Sequence, residues 1–176
     1  MTQTLKRKLI LDEVEVFDSL NQMTFTEYKG VINGQSSYSN HLIINDNKIL
    51  NLIVNEFIDM AGKDYRLLDI WANKYSKGGY VQEHSHVPTT EELKNVDCKA
   101  GVYFFKKPKR SGDFVLDGKK QNVEEGDILL FDCDKKHYSL PNETNEDRII
   151  FSINLAKGVE KIWNNDKWEF KKILPK

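Results

Sequence analysis

Apolar positions follow two regimes along the chain. Between Asn45 and Ala61 they recur at 49, 50, 53, 54, 57, 58 and 61, the spacing of one broad helical face. Asp46 or Asn47 stands where a cap would start that helix, and Gly62 occupies the place of a C-terminal glycine cap. From residue 66 onward the pattern breaks into short β-type runs: RLLDIWANKY, GYVQEHSHV, AGVYFFKK, GDFVLD, DILLFD, KHYSL and RIIFSINL. Gly78-Gly79, Ser111-Gly112, Asp117-Gly118, Glu125-Gly126 and Pro141-Asn142 separate them. Many short strands parted by turn residues predict an antiparallel sandwich or barrel. The expected architecture is one domain over 1–176, mainly β with an N-terminal helix. Residues 1–65 give helical support, 66–156 the β core and 157–176 a C-terminal extension.

Composition narrows the function classes. The chain is 39% hydrophobic and 30% charged, and 26 Lys and Arg stand against 27 Asp and Glu. Binding through phosphates needs a basic excess, so nucleic acid is not an expected partner. The apolar run near the N-terminus, Leu9 to Leu11, is too short for a secretion signal. No stretch approaches the ~18 apolar residues of a spanning helix. The expectation is a cytoplasmic protein without membrane contact. There Cys98 and Cys133, 35 positions apart and in no CxxC, read as reduced thiols.

Three of the four histidines carry the chemical signal. His84 and His86 are one residue apart in a predicted strand, so both rings face one side. His137 follows 53 residues after His84, just past the apolar run ending at Phe131. Distant strand ends converge in a double-sheet fold, and three imidazoles on one side of an ion leave positions open for other ligands. An isolated HxH is more often surface or packing chemistry; the later histidine in a matching strand context favours a metal site. His41 lacks such a context and reads as a surface or packing residue. Arg148 opens the last apolar strand, 11 residues after His137. Guanidinium matches a carboxylate through two parallel hydrogen bonds, so an inward Arg148 would clamp an acidic cosubstrate.

The stretches WANKYSKGGYVQEHSHVP, AGVYFFKKPKRSGDFVL, EEGDILLFDCDKKHYSLP and RIIFSIN, spanning Trp71 to Asn154, resemble the 2-oxoglutarate/Fe(II)-dependent oxygenase superfamily. Within it they resemble bacterial and phage proteins with HxH in place of the usual HxD. The resemblance implies a double-stranded β-helix (a jelly roll, cupin-like) with Fe(II) and 2-oxoglutarate as cofactors. It implies a hydroxylase-type oxidation of a small-molecule or protein substrate, coupled to decarboxylation of 2-oxoglutarate to succinate. Carried over, His84 and His137 are iron ligands, and His86 takes the place of the acidic one. Arg148 binds the distal carboxylate of 2-oxoglutarate, and Asn73 with Tyr103, or its neighbour Phe104, joins the cosubstrate set. Two departures stand out. An imidazole at 86 brings no negative charge, so bound Fe(II) keeps its full +2. Ile150 stands where many relatives carry Ser or Thr, a role open to Ser152.

Two other classes compete. One is a metal-binding cupin that uses no 2-oxoglutarate, with Gly78, His84, His86, Gly126 and His137 as partial motif matches and Glu91 as a fourth ligand. Against it, the glycine expected after Glu91 is missing and Asp132 and Asp134 replace the usual Pro and Gly. The other is a non-catalytic β-sandwich module whose histidines pack or hold a structural metal.

Overall fold

The computed structural model describes residues 4–38, 47–88, 93, 95–164 and 167–172, those from 160 onward by backbone alone. Among the described residues two α-helices, α1 (Glu13–Asn21) and α2 (Lys48–Ala61), lie among eleven strands. The strands are β1 (Leu5–Lys8), β2 (Val31–Ser36), β3 (Tyr65–Val81), β4 (Cys98–Lys106), β5 (Phe114–Leu116), β6 (Lys119–Gln121), β7 (Asp127–Asp132), β8 (His137–Ser139), β9 (Arg148–Lys157), β10 (Val159–Asn164) and β11 (Lys167–Lys172). A six-stranded sheet runs β1-β7-β4-β9-β3-β2, and a three-stranded sheet runs β6-β5-β8. β10 and β11 form a separate hairpin. All pairings are antiparallel, as the short-strand pattern predicts.

The large sheet is buried on both faces. One face packs under α2, whose Leu50, Ile53 and Phe57 meet Tyr103, Ile128, Phe151 and Ile153. The other turns toward the small sheet, where Val102, Phe104, Leu129, Phe131 and Ile150 meet Phe114 and Leu116. α2 begins where the pattern places it: the Asn47 side chain accepts the Leu50 amide at 3.0 Å, and Gly62 closes the end at φ +114°. Asp46, the alternative cap, lies outside the described residues, as does His41. Among the described residues no helix is long and apolar enough to cross a membrane.

Three features differ from the expectation. The first 65 residues add strands as well as a helix: β1 pairs with β7 and β2 with β3, extending the large sheet at both edges. A second helix, α1, is capped by Asp12, whose side chain accepts the Glu15 amide at 3.0 Å. Gly78-Gly79 does not break the strand. β3 runs through it as one 17-residue strand, with Gly78 at φ +79° and a register shift opposite at Ile32/Gly34.

At Gly101 in β4 the fit under α2 is closest. An added Cβ there would lie 2.4 Å from the Phe57 ring and 2.8 Å from Ile153, both fully buried. Overpacking of this kind costs about 1–3 kcal/mol. Gly101→Ala is expected to lower the urea midpoint by that amount of stability with an unchanged m-value, measured by equilibrium unfolding.

Candidate metal centre

Strand alternation builds one wall of a cavity between the sheets. Successive side chains of a strand face opposite sides, so Arg148, Ile150, Ser152 and Asn154 of β9 point the same way. Trp71, Asn73 and Tyr75 of β3 do likewise, and all seven line a cavity of about 580 Å³. His84, His86 and His137 line it too.

Past Val81 the chain leaves β3 and carries His84 and His86 across to β8. The pattern predicts a strand for the HxH pair, but only His84 is bridged, singly to His137, and His86 lies just beyond it. The pair's geometry is strand-like at the residues that matter. His84 N–H donates to the His137 carbonyl at 3.0 Å and His137 N–H to the His84 carbonyl at 2.9 Å. His86 N–H donates to the Cys133 carbonyl at 2.8 Å. These bonds bring the three rings together, with centroids 4.3 to 5.0 Å apart. One ring nitrogen of each lies within 4.8 Å of the others.

Each ring is also oriented. His84 Nδ1 donates to the Gln82 carbonyl at 2.7 Å, His86 Nδ1 to Asn154 Oδ1 at 2.6 Å and His137 Nδ1 to the Lys135 carbonyl at 3.0 Å. A carbonyl only accepts, so each Nδ1 carries the proton and each Nε2 keeps its lone pair. Burial lowers all three pKa values, to about 4 for His86 and about 3 for His137, where the other two imidazoles add repulsion. The rings are therefore neutral at pH 7, the form that binds metal. Nitrogens at about 2.1 Å from one ion lie closer together than the 4.8 Å within which these fall, so the triad would close inward on a metal. Three neutral nitrogen donors fit a divalent first-row metal with open positions.

The carboxylates nearby are otherwise engaged or exposed. Asp132 pairs with Lys99 at 2.5 Å, Glu83 is exposed 3.6 Å from Lys136, and Asp134 is exposed. None of the three joins the histidine group among the described residues. Glu91 lies outside the described residues.

At the other end of the cavity Arg148 is 2% exposed, and its guanidinium stacks 4.5 Å over the Tyr75 ring. Nη1 donates to the Ser111 and Leu140 carbonyls, and Nη2 to Ser139 Oγ at 2.7 Å and the Gly79 carbonyl at 3.3 Å. Its acceptors are uncharged, and no carboxylate among the described residues forms an ion pair with it. Burial pushes its pKa down to about 10, so it remains a cation. Gly112 closes the loop over it: at φ +92°, an added Cβ would fall 2.0 Å from the Leu140 carbonyl and 2.6 Å from Arg148 Nη1. Nearby, Asn73 Oδ1, Tyr75 Oη and Ser111 Oγ are buried without a hydrogen-bond partner. The two orphaned hydroxyls beside an unneutralised cation are donors that a bound anion would satisfy, whereas the Asn73 oxygen calls for a donor.

Asn73, Arg148 and Ser152 thus share the histidine cavity, and Tyr103 does not. It pairs with Phe151 across β4 and β9 and faces α2, 6.0 Å from the Phe151 ring. Alternation gives the cavity position to Phe104, opposite Ile150. Tyr28, Tyr38 and Tyr75 do reach the cavity, and Tyr75, unnoticed in the sequence, stacks on Arg148 and stands two residues after Asn73 on the same face. Asn154 is a second omission, and it follows from Ser152 by the same alternation.

No protein-family model matches the chain, and no curated protein matches it. Solved structures do. The viral collagen prolyl hydroxylase vCPH from Paramecium Bursaria Chlorella virus-1, in its 2OG complex, superposes with a TM-score of 0.62 at 13% identity, covering 88% of this chain and 96% of that one. HygX from Streptomyces hygroscopicus, with nickel and 2-oxoglutarate bound, gives 0.63 at 12% identity over 89% and 83%. The non-heme alpha ketoglutarate dependent epimerase SnoN, from nogalamycin biosynthesis, gives 0.65 at 11% over 91% and 80%. The structural neighbours are 2OG-Fe(II) oxygenases, and what this chain shares with them is the jelly-roll fold.

Two outcomes test the centre. Asn154→Ala removes the partner that orients His86 and is expected to weaken Mn(II) or Ni(II) binding about 10–100-fold, measured by calorimetry, with the fold retained by circular dichroism. The metal-free protein is expected to lose stability as pH falls from about 6.5 toward about 4. In that window the unfolded histidines take up protons that buried His86 and His137 refuse. Urea unfolding across this range checks it; the same slope in a His86→Gln/His137→Gln variant would contradict it.

Proposed function

We propose that the protein is an Fe(II)- and 2-oxoglutarate-dependent oxygenase acting on a substrate that enters the mouth of the 580 Å³ cavity. The observation that carries this reading is the pairing, in one cavity, of three neutral imidazoles with a buried, unneutralised arginine. In this reading Nε2 of His84, His86 and His137 holds the metal. Arg148 takes the distal carboxylate of 2-oxoglutarate, with Tyr75 Oη donating the hydrogen bond it lacks and Asn73 lining the same cavity. Bound together, Fe(II) and 2-oxoglutarate supply oxidation of a substrate C–H bond by O2, with 2-oxoglutarate released as CO2 and succinate. The chain's own part is to orient these groups and to exclude water from them. The oxygenase neighbours, at 10–15% identity, agree with this reading at the level of fold.

A second reading rests on one observation. The terminal nitrogens of Arg148 already meet main-chain carbonyls and Ser139, which also suits a structural arginine in a cupin-type metalloenzyme without 2-oxoglutarate. Charge separates the two readings: carbonyls satisfy N–H groups but leave a buried cation without an anion, which is costly.

Anaerobic calorimetry with Mn(II)-loaded protein decides between them. The oxygenase reading expects saturable 2-oxoglutarate binding, with succinate competing weakly. Hydrogen bonds to charged groups contribute ~1.5–3 kcal/mol, so Arg148→Ala is expected to reduce affinity at least tenfold while metal stays bound. Arg148→Lys recovers only part of the loss, because an ammonium lacks the planar fork. Tyr75→Phe, which leaves the main-chain contacts of Arg148 in place, is expected to cost a smaller factor. Undetectable 2-oxoglutarate binding to the metal-loaded parent would sink the oxygenase reading and promote the cupin one.

A further inference from the structure

The cavity wall contains a feature the oxygenase reading does not use. Cys98 opens β4, and Cys133 follows the last residue of β7. The register that pairs Lys99 with Asp132 sets them opposite each other, and Cys133 N–H donates to the Cys98 carbonyl at 3.2 Å. Both side chains line the cavity, and both are free thiols, 6% and 9% exposed. The two thiols perturb each other, the Cys98 pKa being lowered and the Cys133 pKa raised by their contact. Opposed residues of an antiparallel pair have Cα atoms about 4.5–5.5 Å apart, within the ~4.4–6.8 Å span that disulfides use. The pair is therefore within reach of a disulfide, and linking it draws residue 133 toward residue 98.

The same two residues reach the histidines. The Cys133 carbonyl receives the His86 amide at 2.8 Å, so a pull on residue 133 moves the backbone that presents His86. We propose that Cys98 and Cys133 form a dithiol modification site in the cavity wall, closed to a disulfide by a peroxide, and that closure weakens metal binding at His84, His86 and His137. The chemistry balances with hydrogen peroxide as the two-electron oxidant. Cys98 sulfur attacks one peroxide oxygen; an S–O bond forms, the O–O bond breaks and the departing oxygen leaves as water. Cys133 sulfur then attacks the sulfenic sulfur; the S–S bond forms, the S–O bond breaks and a second water leaves. The thiols lose two electrons and two protons in all. The second half of the proposal rests on the metal reading of the histidines, and the first half does not.

The test uses the full-length, reduced, metal-free protein, treated with equimolar hydrogen peroxide, quenched, and divided for peptide mass spectrometry and Mn(II) calorimetry. The expected result is joint loss of both thiols, a Cys98–Cys133 cross-linked peptide reversed by dithiothreitol, and about tenfold weaker Mn(II) binding in the oxidised form. Cys98→Ser and Cys133→Ser should form no internal link, and peroxide should leave their metal affinity unchanged. Independent sulfinic acids at the two positions, without a link, would overturn the dithiol site. A link that leaves Mn(II) affinity unchanged would overturn the coupling to His86. A reduced parent that binds no Mn(II), yet forms the link, would refute the three-histidine reading and leave the dithiol site standing.

Discussion

The centre depends on how β9 is held. Flanked by β3 and β4 in the middle of the large sheet, it cannot slip by one residue without turning Phe151, Ile153 and Leu155 away from α2 and into the cavity. That register sends Arg148, Ile150, Ser152 and Asn154 inward. Arg148 becomes the buried cation at one end, and Asn154 the acceptor that orients His86 at the other. The apolar packing on the helix side thus determines the polar arrangement on the cavity side, some residues removed from any ligand.

The second constraint is the bridge between His84 and His137. Two reciprocal main-chain hydrogen bonds hold an otherwise irregular segment against β8, and carbonyls behind each ring assign the proton to Nδ1. The imidazole at residue 86 follows the same pattern: the ring is neutral, its partner is the amide of Asn154, and the buried positive charge stays with Arg148. Arg148 thus places a buried positive charge at one end of the cavity, in keeping with an acidic cosubstrate.

Much of this is legible in the sequence, because the strands of the core are short apolar runs separated by residues with strong turn preferences. α2 is legible for a similar reason, with its 3.6-residue period and Asn47 and Gly62 at its ends. The histidines and Arg148 stand out because their residue types are scarce in such runs. Other parts hide in weaker signals. β1 is LKRK, exposed along its length, and is held on the edge of β7 by main-chain pairing and by ion pairs of Lys6, Arg7 and Lys8. α1 has a narrow apolar stripe beneath acidic residues. β3 passes through two glycines because β2 shifts register opposite them. Tyr103 and Phe104 are both aromatic in a fully buried strand, where hydropathy does not reveal which side faces inward. Their phase comes from cross-strand pairing with Phe151 and Ile150, while the pairing of β3 with β9 sets Tyr75 opposite Arg148 at the cavity.

The most direct measurement is a crystal structure of the protein with Ni(II) and 2-oxoglutarate, the ion located by its anomalous scattering. The account predicts one ion about 2.1 Å from Nε2 of His84, His86 and His137. It also predicts a carboxylate of 2-oxoglutarate on Arg148 beside Tyr75, with Asn154 still bonded to His86 Nδ1. An ion held by a carboxylate with His86 remote from it, or 2-oxoglutarate bound away from Arg148, would contradict it.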